Sequence, residues 1–204
     1  MDNTYKTIVA TATGQFKDRG SRFIGFLYPV SDEEEIKAHI AALKKEYHDA
    51  THYCYAYTLG HTGPAQTRLN DDGEPSGSAA RPIFGQLQSA GLSDVLAVVV
   101  RYFGGTKLGV PGLINAYKAA TRAAIDTAKI VEKQILDLAE ASLPYDRANS
   151  LLQLLKKKEA VVRGMDYAEG KSIIRFEIRH DRFAELQESI SLMPSASVQH
   201  IRTK

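Results

Sequence analysis

The sequence predicts an α+β protein of two domains, residues 1–130 and 131–204, the second a ferredoxin-like βαββαβ unit. Three observations carry that prediction. Two-residue and 3.6-residue apolar periods alternate along the chain, which marks strands mixed with helices. The apolar run Val95 to Val100 is far too short to span a bilayer and too continuous for a half-exposed strand, so it reads as a strand covered on both faces. From residue 131 onward the order strand, helix, strand, strand, helix, strand fills about 70 residues, the split βαβ arrangement.

Taken in order, residues 4–12 alternate and read as a first strand. Asp18-Arg19-Gly20 makes a turn into a second strand, Arg22 to Val30. Ser31 with Glu34 forms a capping box for a helix whose inward stripe is Ile36, Ile40, Leu43 and Tyr47. Thr51 to Leu59 is a strand with Tyr53, Tyr55 and Tyr57 on one face. A polar, turn-rich stretch follows from Gly60 to Ser78. Pro82 then falls in the first turn of a helix to about Ala90, with Ser76 or Ser78 as its cap. Asp94 to Phe103 is the covered strand. Glycine-rich Gly104 to Gly112 leads into an alanine-rich helix ending near Lys129. In the second domain, Gln134–Leu143, Ala160–Tyr167, Lys171–Arg179 and Ser197–Arg202 read as strands, and Asp146–Lys158 and Arg182–Leu192 as helices.

With 204 residues, 44% hydrophobic and 25% charged, the chain has globular proportions, which excludes a disordered, collagen-like or disulfide-scaffold protein. Its single cysteine, Cys54, permits no internal disulfide. The start, Met1-Asp2-Asn3-Thr4, has no leader pattern, so a cytoplasmic protein without a membrane span is expected. A net charge of +2 neither favours nor excludes nucleic acid, because a basic face can hide in a balanced total.

Chemistry concentrates in two glycine loops that each open a helix. The first is Asp71-Asp72-Gly73-Glu74-Pro75-Ser76-Gly77-Ser78, followed by Arg81; the second is Arg101-Tyr102-Phe103-Gly104-Gly105-Thr106-Lys107-Leu108-Gly109. Glycines allow close backbone approach, and a helix N-terminus presents free N–H groups to phosphate or carboxylate. The second loop lacks the spacing of a nucleotide P-loop, where a lysine follows the glycine, and G-x-G-x-x-G is absent. The plainer alternative is that its glycines only let the alanine-rich helix pack on the sheet. The acidic loop does not follow a calcium-binding spacing, so no metal is expected. His48, His52 and Cys54 fall short of a four-ligand zinc site, and His52 with Cys54 lacks the third group of a nucleophilic pair. The tyrosine ladder is either a base-stacking platform or packing for a helix. Lys171, Arg175 and Arg179 share a strand face that could meet phosphates.

The loops and the segment His52-Tyr53-Cys54-Tyr55-Ala56-Tyr57 together resemble the IMPACT family, and the two-domain length resembles its bacterial YigZ-type members. Ser78-Ala79-Ala80 departs from the more usual Thr-Ala-Gly. The resemblance implies a ribosomal-protein-like β-α-β N-terminal domain of the kind seen as domain four of elongation factor G. It implies a C-terminal domain like domain five of that factor. Eukaryotic members regulate translation initiation through an extra N-terminal RWD domain, which is not expected in a chain that opens at its first strand. No catalytic residue and no cofactor transfers.

The expected function is therefore a translation-associated regulatory binding protein that contacts RNA or the ribosome. Arg81, Arg101 and Lys107 would meet phosphates, with Arg175 and Arg179 adding charge. Ser76, Gly77, Ser78, Gly104 and Gly105 would line the anion site through hydroxyls and backbone amides. One alternative is an enzyme for a small anionic or phosphorylated substrate, with Glu74 as general base in a pocket between the loops. Another is a protein-interaction module. The sequence leaves the oligomeric state open.

Overall fold

The structure, a computed structural model, describes residues 3–60 and 65–203. It divides into two compact units, one over Tyr5–Lys133 and a second over residues 134–203 with Asn3 and Thr4. No helix among the described residues is long and apolar enough to cross a membrane.

The first unit is organised by a five-stranded antiparallel sheet. Its elements are β1 (Thr4–Ile8), β2 (Ala12–Asp18), β3 (Ser21–Pro29), α1 (Glu33–Glu46), β4 (His52–Leu59), β5 (Gln66–Asn70), α2 (Ala80–Ala90), β6 (Val95–Tyr102), α3 (Gly109–Thr127) and β7 (Ile130–Gln134). The sheet order is β2-β3-β6-β4-β5, while β1 pairs with β7 and makes one parallel bridge, Lys6 to Leu92. β6 lies in the middle, which is why its sequence is apolar on both sides. Val95, Ala97 and Val99 pack with α2 and α3, and Leu96, Val98 and Val100 pack with α1. Tyr53 and Tyr57 are buried in the α1 layer with Tyr55 against it, so the tyrosine ladder is packing and not a stacking platform.

Several sequence expectations need correction here. The single strand over 4–12 is two elements. β1 stops at Ile8, and the strand that pairs with β3 is β2. Its inward face is Ala12, Gly14 and Phe16, and the first two are small because α3 presses on them. Gly14 stands opposite Gly25 of β3. A Cβ on Gly14 would fall 2.2 Å from the Ala124 nitrogen, and one on Gly25 2.5 Å from the Ala120 oxygen. These two glycines, rather than those of the 104–112 loop, let the alanine-rich helix rest on the sheet. The α1 cap is Asp32 and not Ser31. Asp32 Oδ1 accepts from the Glu35 amide at 2.8 Å, and Glu35 Oε2 accepts from the Ser31 amide at 2.8 Å. The box therefore closes one residue later than expected. The stretch from Gly60 to Ser78 contains the edge strand β5, antiparallel to β4; its residues 61–64 lie outside the described residues. The helix expected with Pro82 in its first turn is α2, Ala80–Ala90, as read, whereas β7 precedes the strand expected from Gln134.

The second unit comprises β8 (Leu136–Pro144), a single 3₁₀ turn (Tyr145–Arg147), α4 (Ala148–Lys157), β9 (Val161–Ala168), β10 (Lys171–Arg179), α5 (His180–Ser191) and β11 (Ser197–Thr203). The sheet runs β11-β8-β10-β9, antiparallel throughout. Leu151 and Leu155 of α4 and Leu186 and Ile190 of α5 meet Ala139, Ala141, Ile174 and Phe176 of the sheet in one core. The helix expected from Asp146 takes its first turn as 3₁₀, and the one expected from Arg182 begins at His180.

A pocket between two glycine loops

Arg101 is the next inward position of β6 after Val95, Ala97 and Val99, so strand alternation carries a guanidinium into the layer beneath α3. It is 5% exposed and stands opposite His52 of β4. A charge placed there requires a partner. Glu74 supplies it: Arg101 Nη1 donates to Glu74 Oε1, with both side chains almost wholly buried. Aromatic rings flank the guanidinium, Phe23 at 5.3 Å and Phe103 at 5.6 Å from Cζ to ring centre. The Tyr117 hydroxyl of α3 donates to the same Glu74 oxygen at 2.8 Å. His52 Nε2 lies 3.9 Å from that oxygen, and its Nδ1, 2.8 Å from the Asp72 carbonyl, carries the proton of that hydrogen bond. Among the described residues, none donates to Glu74 Oε2 and none partners buried Arg101 Nε.

Behind this pair sits Cys54, fully buried, with Sγ 3.0 Å from the Asp71 carbonyl and 3.3 Å from the Tyr117 hydroxyl. Burial pushes the thiol far above its ordinary pKa; the Tyr117 hydrogen bond opposes this, and the charge of Glu74 adds to it. Burial, then Cys54 and Glu74, push the Tyr117 hydroxyl up in the same way. Both stay protonated, so Tyr117 is a fixed donor and Cys54 is no nucleophile.

The two aspartates of the first loop accept from backbone amides. Asp71 Oδ1 accepts from the Ala79 and Ala80 amides at 3.1 and 2.8 Å, and Oδ2 from the Gly77 amide at 2.8 Å. Asp71 thus caps α2, in place of Ser76 or Ser78. Asp72 Oδ2 accepts from the Tyr53 amide at 2.7 Å, and the Ser78 hydroxyl donates to the Pro75 carbonyl at 2.6 Å. No group of three or more His, Cys, Asp or Glu side chains suited to a metal ion occurs among the described residues.

The two loops meet. Between them opens a cavity of about 390 Å³. Glu74, Arg101, His52 and Thr51 form its polar part. Phe103, Leu108, Val110, Leu113 and Pro75 form its apolar walls, and Lys107 its cationic edge. Leu108, Gly109 and Val110 belong to the start of α3, which has no side-chain cap and no acidic residue in its first turn. That helix end presents unpaired N–H groups and partial positive charge to the cavity.

The expected site residues separate into distinct groups. Lys107 and Arg81 are exposed and form no ion pair with a described carboxylate. Arg101 is turned inward to Glu74. The Gly77 amide is taken by Asp71, and the Gly104 amide by Ser21 Oγ at 3.1 Å; the exposed Gly105 has φ +86°. Ser76 is exposed and Ser78 buried. In the second unit, Arg175 is paired with Glu140 at 2.8 Å and Asp166 at 3.2 Å, and Arg179 with Asp181 at 2.8 Å. Tyr117 and Phe23 were missed by sequence reasoning, as was the capping role of Asp71. Tyr117 carried a usable signal, because it lies on the inward stripe Leu113, Ala116, Tyr117, Ala120, Ala124 of α3, where a hydroxyl needs a partner.

Comparison with known proteins places these features in context. The profile of the Impact N-terminal domain matches residues 19–125. The IMPACT family member YvyE of Bacillus subtilis is 35% identical over 170 residues, 83% of this chain and 78% of that protein. The member YigZ of Escherichia coli is 30% identical over 180 residues, 88% of each chain. A crystal structure described as that of a hypothetical protein superimposes with a TM-score of 0.72 at 27% identity, covering 99% of each chain.

Proposed function

The chain belongs to the IMPACT family, and from that premise we propose that it is a cytoplasmic, translation-associated regulatory protein that contacts RNA or the ribosome. The observation that carries the reading is the uncapped start of α3 opening into a cavity edged by Lys107, a cation with no carboxylate partner among the described residues. A phosphate there meets free N–H groups, the helix dipole and a full positive charge together. Arg81, exposed near the start of α2, adds a second cation with no carboxylate partner among the described residues. Arg175 and Arg179 contribute less, because their charge is already matched. The domain types that the resemblance implies support the same reading. In the second unit the order β11-β8-β10-β9 is that of a ferredoxin-like sheet, the type of elongation factor G domain five. The first unit is read as the domain-four type.

The test is binding to ribosomes and to structured RNA across a salt series, for the wild type and Lys107→Ala/Arg81→Ala. Binding falls with salt, and the double variant flattens the log–log slope by about 0.7–0.9 for each phosphate it no longer neutralises. Salt-independent binding, or a variant identical to wild type, refutes the reading. Binding that survives nuclease treatment points instead to a protein partner.

One observation favours a second reading, an enzyme for a small anionic substrate. Glu74 reaches the cavity, and no described residue donates to its Oε2, as a general base requires.

A further inference from the structure

We propose that the cavity between the loops receives one unpaired nucleotide, base inward and phosphate at the start of α3. This rests on the RNA reading above and names the part of RNA that is recognised. Three features set side by side lead to it. The inner end of the cavity offers an acceptor and a donor: among the described residues nothing donates to Glu74 Oε2, and of the five N–H groups of Arg101 only one on Nη1 has a partner. Every nucleobase presents N–H donors beside ring-nitrogen or carbonyl acceptors along one edge, and so meets both groups. A bare phosphate or carboxylate would find Arg101 already neutralised and Glu74 repelling it.

The walls are apolar, and Phe103 adds a planar ring to them. Phe103 is 47% exposed and Val110 47%, which is costly for a solvent-facing surface and suited to the face of a base. The outer end is cationic, through Lys107 and the α3 amides. Buried hydrogen-bonding groups, apolar walls and an exposed cation line one cavity, the three kinds of group that a base edge, a base face and a phosphate require. The volume, about 390 Å³, falls within the usual range for small-ligand pockets. A nucleotide could reach the cavity free or as a residue of a single strand, and the two sources share this chemistry.

The test is calorimetric titration of the full chain with AMP, GMP, CMP, UMP, ribose 5-phosphate, inorganic phosphate and a short unstructured RNA. At least one nucleotide should bind tenfold or more tightly than ribose 5-phosphate. Phe103→Ala, an exposed position that leaves the core untouched, should weaken that nucleotide about tenfold and leave ribose 5-phosphate unchanged. Lys107→Ala should weaken both. Tighter binding of the RNA than of the nucleotide, abolished in Phe103→Ala, assigns the nucleotide to a strand; binding of the nucleotide alone assigns it to the free form and overturns the RNA reading while upholding this one. Equal binding of ribose 5-phosphate and nucleotides, or no effect of Phe103→Ala, overturns the inference. RNA binding that depends on Lys107 without any nucleotide binding overturns it and leaves the RNA reading standing.

Discussion

Arg101→Met tests whether the pair at the base of the cavity holds the first unit together. The Glu74 side chain is 4% exposed and that of Arg101 6%. Removing the guanidinium leaves a buried carboxylate with one hydrogen bond, from Tyr117, and a histidine nitrogen at 3.9 Å. Breaking one side of a buried pair costs about 3–5 kcal/mol. The methionine keeps most of the packing against Phe23 and Phe103, and water in the cavity can reach Oε2, which argues for the lower end, roughly 3 kcal/mol. Glu74→Gln keeps an acceptor for both Arg101 and Tyr117 and should cost about 1–2 kcal/mol. In the double variant no charge is stranded, so it should be more stable than the sum of the singles by about 2 kcal/mol. The chain has no tryptophan, so urea unfolding is followed by far-UV circular dichroism and tyrosine fluorescence. At about 1.5–2 kcal/mol per molar urea, Arg101→Met should lower the midpoint of the first unit by about 2 M. A single-variant cost under about 1 kcal/mol together with strict additivity would show that the two charges are compensated separately.

Three further outcomes follow from the same geometry. Gly14→Ala drives a Cβ into the α3 backbone and should cost about 3 kcal/mol or more in chemical unfolding, whereas Gly85→Ala in α2, where a Cβ meets nothing within 4 Å, should gain about 0.5–1 kcal/mol. Asp71→Ala deprives the Gly77, Ala79 and Ala80 amides of their acceptor; the expected destabilisation is about 2 kcal/mol, with faster hydrogen exchange at those three amides. Burial pushes Tyr28 up to about 12 and Tyr117 higher still, so the native state holds protons that the unfolded chain releases near its ordinary value of 10. Stability from these groups is fully present below about pH 10 and declines from there toward 12, and the urea midpoint should fall over that window. Tyr117→Phe should make the fall shallower by up to about 1.4 kcal/mol per pH unit; an unchanged slope would mean that this hydroxyl titrates normally.

What could be read from the chain depended on where each element finds its partner. α1 and β6 were visible because their apolar periods record burial against large side chains. β2 was not, because its partner is a helix backbone, and Ala12 and Gly14 leave no apolar signal. β5 was invisible for the opposite reason: as an edge strand it is almost wholly exposed and needs no alternation. Caps follow the same logic. The α1 cap lies within one residue of its local motif, but the α2 cap is Asp71, nine residues from the Ala80 amide that it serves, and no local pattern encodes that distance.

The site divides along a similar line. Both loops were identifiable from their glycines and charged residues, yet Arg101 read as a free cation because its partner is 27 residues away. Alternation already held the correction. In a strand covered on both faces, a charge that continues the row Val95, Ala97, Val99 must lie inside and must be paired. The neighbouring loop held carboxylates at Asp71, Asp72 and Glu74. Asp71 and Asp72 accept from backbone amides, which leaves Glu74 for Arg101. Pairing, and not the number of basic residues, therefore decides which charges face a ligand. Arg175 and Arg179 drop in importance despite their strand face, and Lys107 rises although it is a single residue in a glycine loop. An anion arriving at this surface meets a cation that does not first have to leave a carboxylate, and beside it a helix end whose amides are equally uncommitted.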